Sequence, residues 1–337
     1  MPIRHGSGSL TDVSFLTALK DRKLNLLEQL GLFEESTGKF TNIQAERIIH
    51  SDDTMRSMER GGERQYMDRE SIQTENFKIP FFPLDGVAKA SDAQDLFEYG
   101  TTDVPEKVKN RVTKYVERAQ RAHADLLRSA MYTAVTEGTT FAGQGVNNQY
   151  VVDYATVWGV TRPAPVGLDL SAATNPLLTM ETGVVEPLIE AAKDSADEYE
   201  IVVLCGSGVF NGYTQHAQVQ EDLINSKDES KAYRDRLGGN KIGRVFVHGN
   251  ITWIEDKSGN IPRDEAYAMP VGIADMFTTH YAPADHKDYA NTEAEKMYIF
   301  LKEDDREDRV ETETSFVCIN NRPELVYELN VTLPVGA

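Results

Sequence analysis

Two strand-like runs close to the C-terminus constrain the fold of this chain more than any other feature. The first run, from Val310 to Ile319, alternates Val, Thr, Phe and Cys with mostly Glu and Ser, the two-residue period of a strand with one covered face. The second run extends from Glu324 to Val331, and the segment from Asn320 to Pro323 supplies turn-forming residues between them. Because strands at the end of a chain pair with partners distant in sequence, this tail is expected to close the fold.

A strong negative charge limits the partners of the chain. Its 337 residues include 54 acidic and 35 basic side chains, for a formal net charge of −19. Nucleic-acid binding through a basic surface needs clustered Lys and Arg, and an anionic membrane surface would repel such a chain. The charge is compatible with lying near packed nucleic acid without adhering to it, although solubility is the simpler interpretation.

The two cysteines, Cys205 and Cys318, lie in apolar, strand-like surroundings. This setting favours buried small side chains over a disulfide or a nucleophile. No apolar run of signal-peptide type begins the sequence, and no stretch approaches the length of a bilayer span. We therefore expect a protein of a reducing cytoplasm with no membrane partner.

Two N-terminal segments lack the composition of an independent core. Met1–Lys39 opens with a Gly/Ser-rich tip and continues with scattered leucines, which predicts a mobile arm with a short helix. The stretch from Gln44 to Phe77 is dense in charge and poor in apolar residues, so it is either disordered or a projecting hairpin that neighbours order. Its interleaved charges favour salt bridges between subunits over phosphate binding. The candidate contact residues are Arg56, Glu59, Arg60, Glu63, Arg64 and Arg69.

A long helix and a compact block follow. Asp103 is a plausible N-cap, Pro105 lies in the first turn, and apolar residues recur every three or four positions until Gly138. About 33 residues at roughly 1.5 Å each give a rod of about 50 Å, which is typical of a spine rather than of a packed enzyme helix. Between this spine and the C-terminal strands, Pro176 to Asp275 reads as an inserted α+β unit.

Two groups of residues resemble sites that carry chemistry. Gly206, Gly208 and Gly212 follow a buried strand, as in a dinucleotide-binding turn, but the third Gly is displaced by one position, and tight turn geometry explains all three. The stretch from His280 to Asp288 contains two His and two Asp side chains without the rigid spacing of a metal site, and a polar loop is expected. We therefore predict no catalytic residue, no cofactor site and no metal site.

Four stretches carry a resemblance to a known family. They are the sequence KIPFFPLDGVAKASDAQDL at Lys78–Leu96, the helix Pro105–Glu137, the segment Asn240–Gly259 and the ending Met269–Val331. Together they resemble the major capsid proteins of tailed bacteriophages, and within them the lambda E-type family. The resemblance covers most of the chain.

The resemblance implies an α+β fold of the Hong Kong 97-like type, divided into four parts. Residues 1–43 are expected to form an N-terminal arm and residues 44–85 an extended loop that reaches over a neighbouring subunit. Residues 86–175 and 276–337 would form a peripheral domain with a spine helix at 105–137. Residues 176–275 would form an axial domain that meets its copies around five-fold and six-fold axes.

The resemblance also implies a function. Pentamers and hexamers of the chain would build an icosahedral virion shell around the DNA genome, with assembly in the cytoplasm of the host bacterium. A separate scaffolding protein, a portal and a decoration protein would be the other partners. Two alternatives stay open: a nucleotide-dependent enzyme that uses the turn from Gly206 to Gly212, and another ring component of the head or tail.

Overall fold

The computed structural model describes residues 10–12, 26–49, 71–89, 91, 108–141, 143, 151–192, 199–225 and 244–334. The strands in these ranges are β1 (Leu10–Asp12), β2 (Glu34–Thr37), β3 (Asn42–Ile49), β4 (Ser71–Lys78), β5 (Phe81–Pro83), β6 (Gly86–Lys89), β7 (Val166–Asp169), β8 (Glu200–Cys205), β9 (Val245–His248), β10 (Ile251–Glu255), β11 (Glu265–Val271), β12 (Phe277–Tyr281), β13 (Tyr298–Glu303), β14 (Glu307–Asn320) and β15 (Tyr327–Thr332). The helices are α1 (Leu26–Gln29), α2 (Val108–Thr136), α3 (Tyr154–Trp158), α4 (Pro176–Met180), α5 (Glu186–Ala192), α6 (Ser207–Thr214) and α7 (Ala217–Asn225). A π-helical turn (Glu181–Val185) joins α4 to α5, and a 3-10 turn (Pro323–Leu325) precedes β15.

A seven-stranded sheet is built around β14. Its order is β1-β13-β14-β12-β2, and β5 and β6 also pair with β14. The strands that pair directly with β14 are β12, β13, β5 and β6. Because β5 and β6 lie far away in the sequence, at residues 81–89, the expectation that the C-terminal tail closes the fold through distant pairing is confirmed. The turn between β13 and β14 is short, because Glu303 already pairs with Asp308 across this hairpin.

The predicted two-residue period of β14 holds only in its first half. Val310 and Thr312 are buried while Glu311 and Glu313 are partly exposed, but every side chain from Thr314 to Asn320 is buried. The second half is covered by α3, where the Tyr154 hydroxyl donates to the Cys318 carbonyl and Trp158 Nε1 donates to the Asn320 carbonyl at 3.3 Å. The one-face prediction is therefore wrong for this half.

The spine helix is α2. It begins at Val108, and residues 92–107, which include the predicted cap, lie outside the described residues. Its last turn ends as predicted, because Gly138 has a φ of +67° and its N–H donates to the Thr133 carbonyl at 3.1 Å. The Arg162 guanidinium then donates to the carbonyls of Thr136 and Glu137 at 2.9 and 2.7 Å, which satisfies acceptors that a helix end leaves open.

A second, six-stranded sheet has the order β7-β15-β11-β8-β10-β9. Its interior is apolar: five of the six residues of β8 are buried, and Trp253 of β10 stacks on Tyr213 of α6 at 4.0 Å. After β8 the chain forms two short helices, α6 and α7. The break is stabilised by His216, whose Nδ1 accepts from the Gln218 N–H at 3.3 Å and caps α7.

Two strands of the six-stranded sheet come from outside residues 176–275. β15 pairs with β11 from Glu265–Asn330 to Ala268–Tyr327 and with β7 on its other side. Tyr327 and Leu329 are buried beside Ala266 and Ala268. The apolar side of β15 therefore completes the interior of the six-stranded sheet.

A hairpin of β3 and β4 forms a separate two-stranded sheet with eight paired positions, from Asn42–Lys78 to Ile49–Ser71. The charged stretch from Gln44 to Phe77 is expected to be either disordered or a hairpin, and its described part forms a hairpin. Residues 50–70, between its two strands, lie outside the described residues. Among the helices that the structure describes, none has both the length and the apolar character that a bilayer span requires.

Candidate assembly surfaces

The hairpin root, defined here as residues 42–49 and 71–78, is fixed to the body of the molecule on one side. Phe77 is 2% exposed and packs against Tyr154 and Trp158, with ring centroids 6.2 and 6.1 Å apart. The Gln73 side-chain amide donates to the Val157 carbonyl at 3.3 Å. The helix that covers β14 therefore also holds the hairpin root.

An ionic junction cluster, formed by Arg47, Arg322 and Glu324, holds the same root from another direction. One guanidinium nitrogen of Arg47 lies 2.7 Å from a Glu324 oxygen, and the two side chains are only 15% and 17% exposed. Arg322 Nε donates to the same oxygen at 3.4 Å, and its guanidinium also donates to the Ala191 carbonyl at 3.3 Å. The cluster thus links the hairpin root, the turn between β14 and β15, and the end of α5.

Large apolar side chains are exposed in two groups. Scattered exposure of single apolar residues is ordinary on a protein surface, so the grouping is the informative observation. One group surrounds the hairpin root and the strand that follows it, and the other lies on the helical segment 176–192. The residues are Phe40, Ile72, Phe81 and Leu84 in the first group and Leu178 and Ile189 in the second; Val151 is exposed separately.

The helical segment 176–192 turns a defined side to the protein interior. Its buried residues recur every four positions, at 176, 180, 184, 188 and 192, a period that the π-helical turn makes possible. Leu178 and Ile189 are therefore left on the outward side, 58% and 47% exposed, with Glu181 and Glu186 between them. An outward side with apolar ends and acidic residues between them suits contact with another protein.

The glycine turn at Gly206 is filled by the protein itself. The N–H groups of Gly208 and Val209, at the start of α6, donate to the Arg263 carbonyl at 3.1 and 3.2 Å. A Cβ atom on Gly206 would lie 2.0 Å from the Pro262 carbonyl oxygen. The glycines therefore allow two backbone segments to approach closely, and the amides that would hold a phosphate are occupied by carbonyls of this chain.

The two cysteines and the histidines of the stretch 280–288 have structural roles. Burial raises the pKa of the Cys318 thiol to about 12, and burial also raises the pKa of Cys205, so neither thiol is an activated nucleophile.

Burial lowers the pKa of His280 to about 4, and its Nε2 lies 3.0 Å from the Thr278 hydroxyl. His286 instead stacks on Phe300 with ring centroids 5.0 Å apart. Within the described ranges, no group of three or more His, Cys, Asp or Glu side chains could hold a metal ion.

The six residues predicted for inter-subunit contacts all lie in residues 50–70, outside the described residues. They are Arg56, Glu59, Arg60, Glu63, Arg64 and Arg69. Sequence reasoning missed the junction cluster and the outward side of segment 176–192. For the segment 176–192, the sequence does carry a signal. Apolar residues recur every four positions from 176 to 192, and Leu178 and Ile189 fall outside this pattern. For Glu324 no local signal exists, since its partner Arg47 is 277 residues away.

Comparison with known proteins links the chain to a family. The model of the family described as phage major capsid protein E matches residues 15–331. The major capsid protein of Pseudomonas phage KPP10 is 25% identical over 344 residues, which cover 97% of each chain.

Solved structures show the same fold at low sequence identity. The capsid protein of Ralstonia phage GP4 matches with a TM-score of 0.55 and 10% identity, covering 95% of this chain and 94% of the other. A prophage capsid protein from E. coli CFT073 matches with a TM-score of 0.56 and 12% identity, covering 96% and 100%. The Hong Kong 97-like fold expected from the resemblance is thereby confirmed.

Proposed function

The chain belongs to the phage major capsid protein E family, and we propose that its copies assemble as pentamers and hexamers of an icosahedral head shell that encloses the DNA genome. As a capsid protein it is a structural component of the virion. Its assembly in the cytoplasm of the host bacterium belongs to the same proposal.

The observation that carries the proposed assembly is the outward side of segment 176–192. Leu178 and Ile189 are about half exposed in the single chain, and burial of such side chains against a neighbour is worth about 1 kcal/mol each. One such contact is weak. A heterologous contact that closes into a ring is made once per subunit, however, so five or six weak contacts stabilise the ring together.

We assign the parts of the chain to the roles that the resemblance implies. Residues 1–43 act as the arm, 44–85 as the extended loop, 86–175 and 276–337 as the peripheral domain, and 176–275 as the axial domain. Pairing of β15 with both β11 and β7 suggests one refinement, in which β7 and β15 move with the axial domain. The anchored hairpin root supports the loop assignment, because a fixed root sets the direction in which the loop leaves the subunit.

Arg56, Arg60, Arg64 and Arg69, with Glu59 and Glu63, are proposed to form salt bridges with a neighbouring subunit. Their alternating signs suit selection of the register between subunits more than raw affinity. A separate scaffolding protein, a portal and a decoration protein are the remaining proposed partners, by analogy with the family.

We propose that the protein is not an enzyme. The filled turn at Gly206, the raised pKa values of both thiols and the separate settings of His280 and His286 support this proposal. The alternative of a nucleotide-dependent enzyme loses its main support, because a phosphate would have to displace the Arg263 carbonyl from the start of α6.

The test is the size and shape of the assemblies. Full-length protein would be examined by light scattering and negative-stain electron microscopy, alone and with its scaffolding partner. We expect pentamers, hexamers or closed shells from the natural chain and smaller species from the double variant Leu178→Ser/Ile189→Ser. Val151→Ser, which removes a similarly exposed apolar side chain elsewhere, serves as the matched control.

The outcomes separate the alternatives. A uniform monomer or dimer of the natural chain under every condition would contradict the proposed function. A single small ring of fixed size would favour another head or tail component. If the double variant assembled as well as Val151→Ser, the contact assigned to segment 176–192 would be wrong, although the shell function could stand.

A further inference from the structure

Three exposed apolar side chains lie on two segments at the base of the hairpin root. The segments, residues 38–41 and 79–84, are joined where the Ile79 N–H donates to the Thr41 carbonyl at 2.9 Å, so their exposed side chains share one region of the surface. Among the large apolar side chains that the structure describes, Phe40 is the most exposed, at 68%. The three side chains, called the root patch here, are Phe40, Phe81 and Leu84.

The root patch carries a positive charge in an acidic protein. Lys39, which is exposed beside Phe40, is the only charged residue in the two segments. Lys78 and Asp85, which border the second segment, have opposite charges. In a chain with a net charge of −19, the root patch therefore combines exposed apolar area with a local positive charge.

The outward side of segment 176–192 has the same apolar character and the opposite charge. Leu178 and Ile189 supply its exposed apolar area. Every charged residue of the segment is acidic, and all of these residues are exposed: Glu181, Glu186 and Glu190. The two surfaces are therefore alike in apolar character and complementary in charge.

Contact of either surface with its own copy would oppose like charges. Two root patches would bring Lys39 toward Lys39, and two copies of segment 176–192 would bring carboxylates together. Like charges that face each other across an interface cost free energy and suppress that pairing. A contact between the two different surfaces avoids this cost, and a contact of this heterologous kind repeats from one subunit to the next.

We propose that the root patch of one copy packs on the outward side of segment 176–192 of the next copy, with Lys39 facing the glutamates. Phe40 would then meet Leu178 and Ile189 at the centre, and the charged side chains would form the rim, as in protein interfaces generally. The inference rests on the proposed function, because it names the surface that segment 176–192 meets when copies assemble.

Thiol-specific crosslinking tests which surfaces meet. The natural thiols of Cys205 and Cys318 are buried, so cysteines introduced at the surface react selectively. Full-length Phe40→Cys protein would be mixed under assembly conditions with Leu178→Cys or Ile189→Cys protein and treated with a short bismaleimide. We expect a covalent dimer from the mixture and little from any of the variants alone. The double variant Phe40→Cys/Ile189→Cys should give a ladder of larger species, because each copy would then carry both halves of the contact.

A matched control and a charge reversal make the test specific. Val151→Cys protein, which places a thiol at an exposed apolar position elsewhere, should not link to Phe40→Cys protein. Lys39→Glu should raise the protein concentration needed for assembly by about fivefold, the scale of one exposed charge pair turned from attraction to repulsion. Lys287→Glu makes the same charge change at another exposed position and should have no effect.

Restoration by a second reversal identifies the partner surface. Adding Glu181→Lys, Glu186→Lys or Glu190→Lys to Lys39→Glu should bring assembly back toward that of the natural chain for at least one of the three. Each glutamate reversal alone should weaken assembly or leave it unchanged. A reciprocal rescue of this kind requires that the two charges face each other, which damage to the fold would not produce.

Several results would overturn the proposal. Phe40→Cys protein could link mainly to itself, it could link to an added scaffolding protein instead of another copy, or none of the three glutamate reversals could restore assembly. Electron microscopy of the natural chain tests the proposed function separately. Shells that form without the expected links would overturn the contact alone, whereas a natural chain that never assembles would contradict both the contact and the proposed function.

Discussion

The two large sheets of this molecule differ in the chemistry of the side chains that face each other. The six-stranded sheet places apolar residues together, with Trp253 and Tyr213 stacked at 4.0 Å and β8 almost wholly buried. The β13–β14 end of the seven-stranded sheet places like charges opposite each other, Lys302 against Arg309 and Glu303 against Asp308. Directly opposed like charges destabilise a strand pair.

The comparison teaches where the stability of the subunit is concentrated. Burial of aromatic and aliphatic side chains makes the six-stranded sheet the strongly held region, whereas the charged end of the β13–β14 ribbon is expected to open at lower free energy. The junction cluster lies between the two regions, because Glu324 follows β14 and precedes β15. Substitutions in the six-stranded sheet, at the junction and in the ribbon should therefore have decreasing effects.

The largest effect is expected for Trp253→Ala in the six-stranded sheet. Trp253 is fully buried, and its removal leaves a cavity beside Tyr213 and Phe246, so the free energy of unfolding should fall by about 3–5 kcal/mol. Urea unfolding followed by circular dichroism measures this change. Thr252→Ala, on the same strand but only partly buried, is the control, and a loss below about 1 kcal/mol for Trp253→Ala would contradict the comparison.

An intermediate effect is expected for Glu324→Gln in the junction cluster. The substitution leaves the guanidinium of Arg47 without its charged partner at a site where both side chains are mostly buried, so the loss should be about 2 kcal/mol. The expected loss is smaller than for a fully buried ion pair, because the two side chains remain 15% and 17% exposed to water. The same unfolding experiment applies, with amide hydrogen exchange in β3 and β4 as a local readout.

A double-mutant cycle makes the junction test specific. If Arg47 and Glu324 act as a pair, Arg47→Met/Glu324→Gln should cost less than the two single losses added together. Additive losses would instead mean that the hairpin root is held by Phe77 and Gln73 alone.

Sequence patterns predicted the elements that local chemistry specifies. The spine helix is predictable because the three- or four-residue spacing of apolar side chains acts within the segment itself, and Gly138 ends it as expected. The first half of β14 was identified because Val310 and Thr312 alternate with Glu311 and Glu313. In the glycine turn, the sequence left two explanations, and only the approach of Pro262 to Gly206 distinguished them.

Features that depend on distant contacts could not be predicted. The second half of β14 is buried on both sides because Tyr154 and Trp158 lie against Cys318 and Asn320, more than 160 residues away. The sequence of β15 does not specify which sheet the strand joins, since the apolar side chains of Tyr327 and Leu329 would fit the interior of either one. No pattern within one segment records which distant segment will cover it.

The smallest effect is expected for Glu313→Gln, which tests like-charge repulsion at the other end of the β13–β14 ribbon, where Glu313 lies opposite Tyr298. Burial raises the pKa of Glu313 above its ordinary value of 4.5, and the neighbouring carboxylates Asp285, Asp85 and Glu311 raise it further. The Asp285 N–H, which donates to a Glu313 oxygen at 3.1 Å, opposes this shift only in part. The folded protein therefore binds a proton at Glu313 more tightly than the unfolded chain does.

A raised carboxyl pKa gives a stability that is fully present below pH 4.5 and is lost as pH rises through the folded-state value. At pH 7 the charged Glu313 consequently weakens the fold, and Glu313→Gln should stabilise it by less than about 1 kcal/mol, because the side chain is partly exposed. Thermal unfolding at pH 7 and pH 4 measures the difference, which should shrink at pH 4. Glu200→Gln, at an exposed position of the six-stranded sheet, is the control. Equal stabilisation by Glu313→Gln at both pH values would mean that shape rather than charge governs this site, and the contrast between the two sheets would then not be electrostatic here.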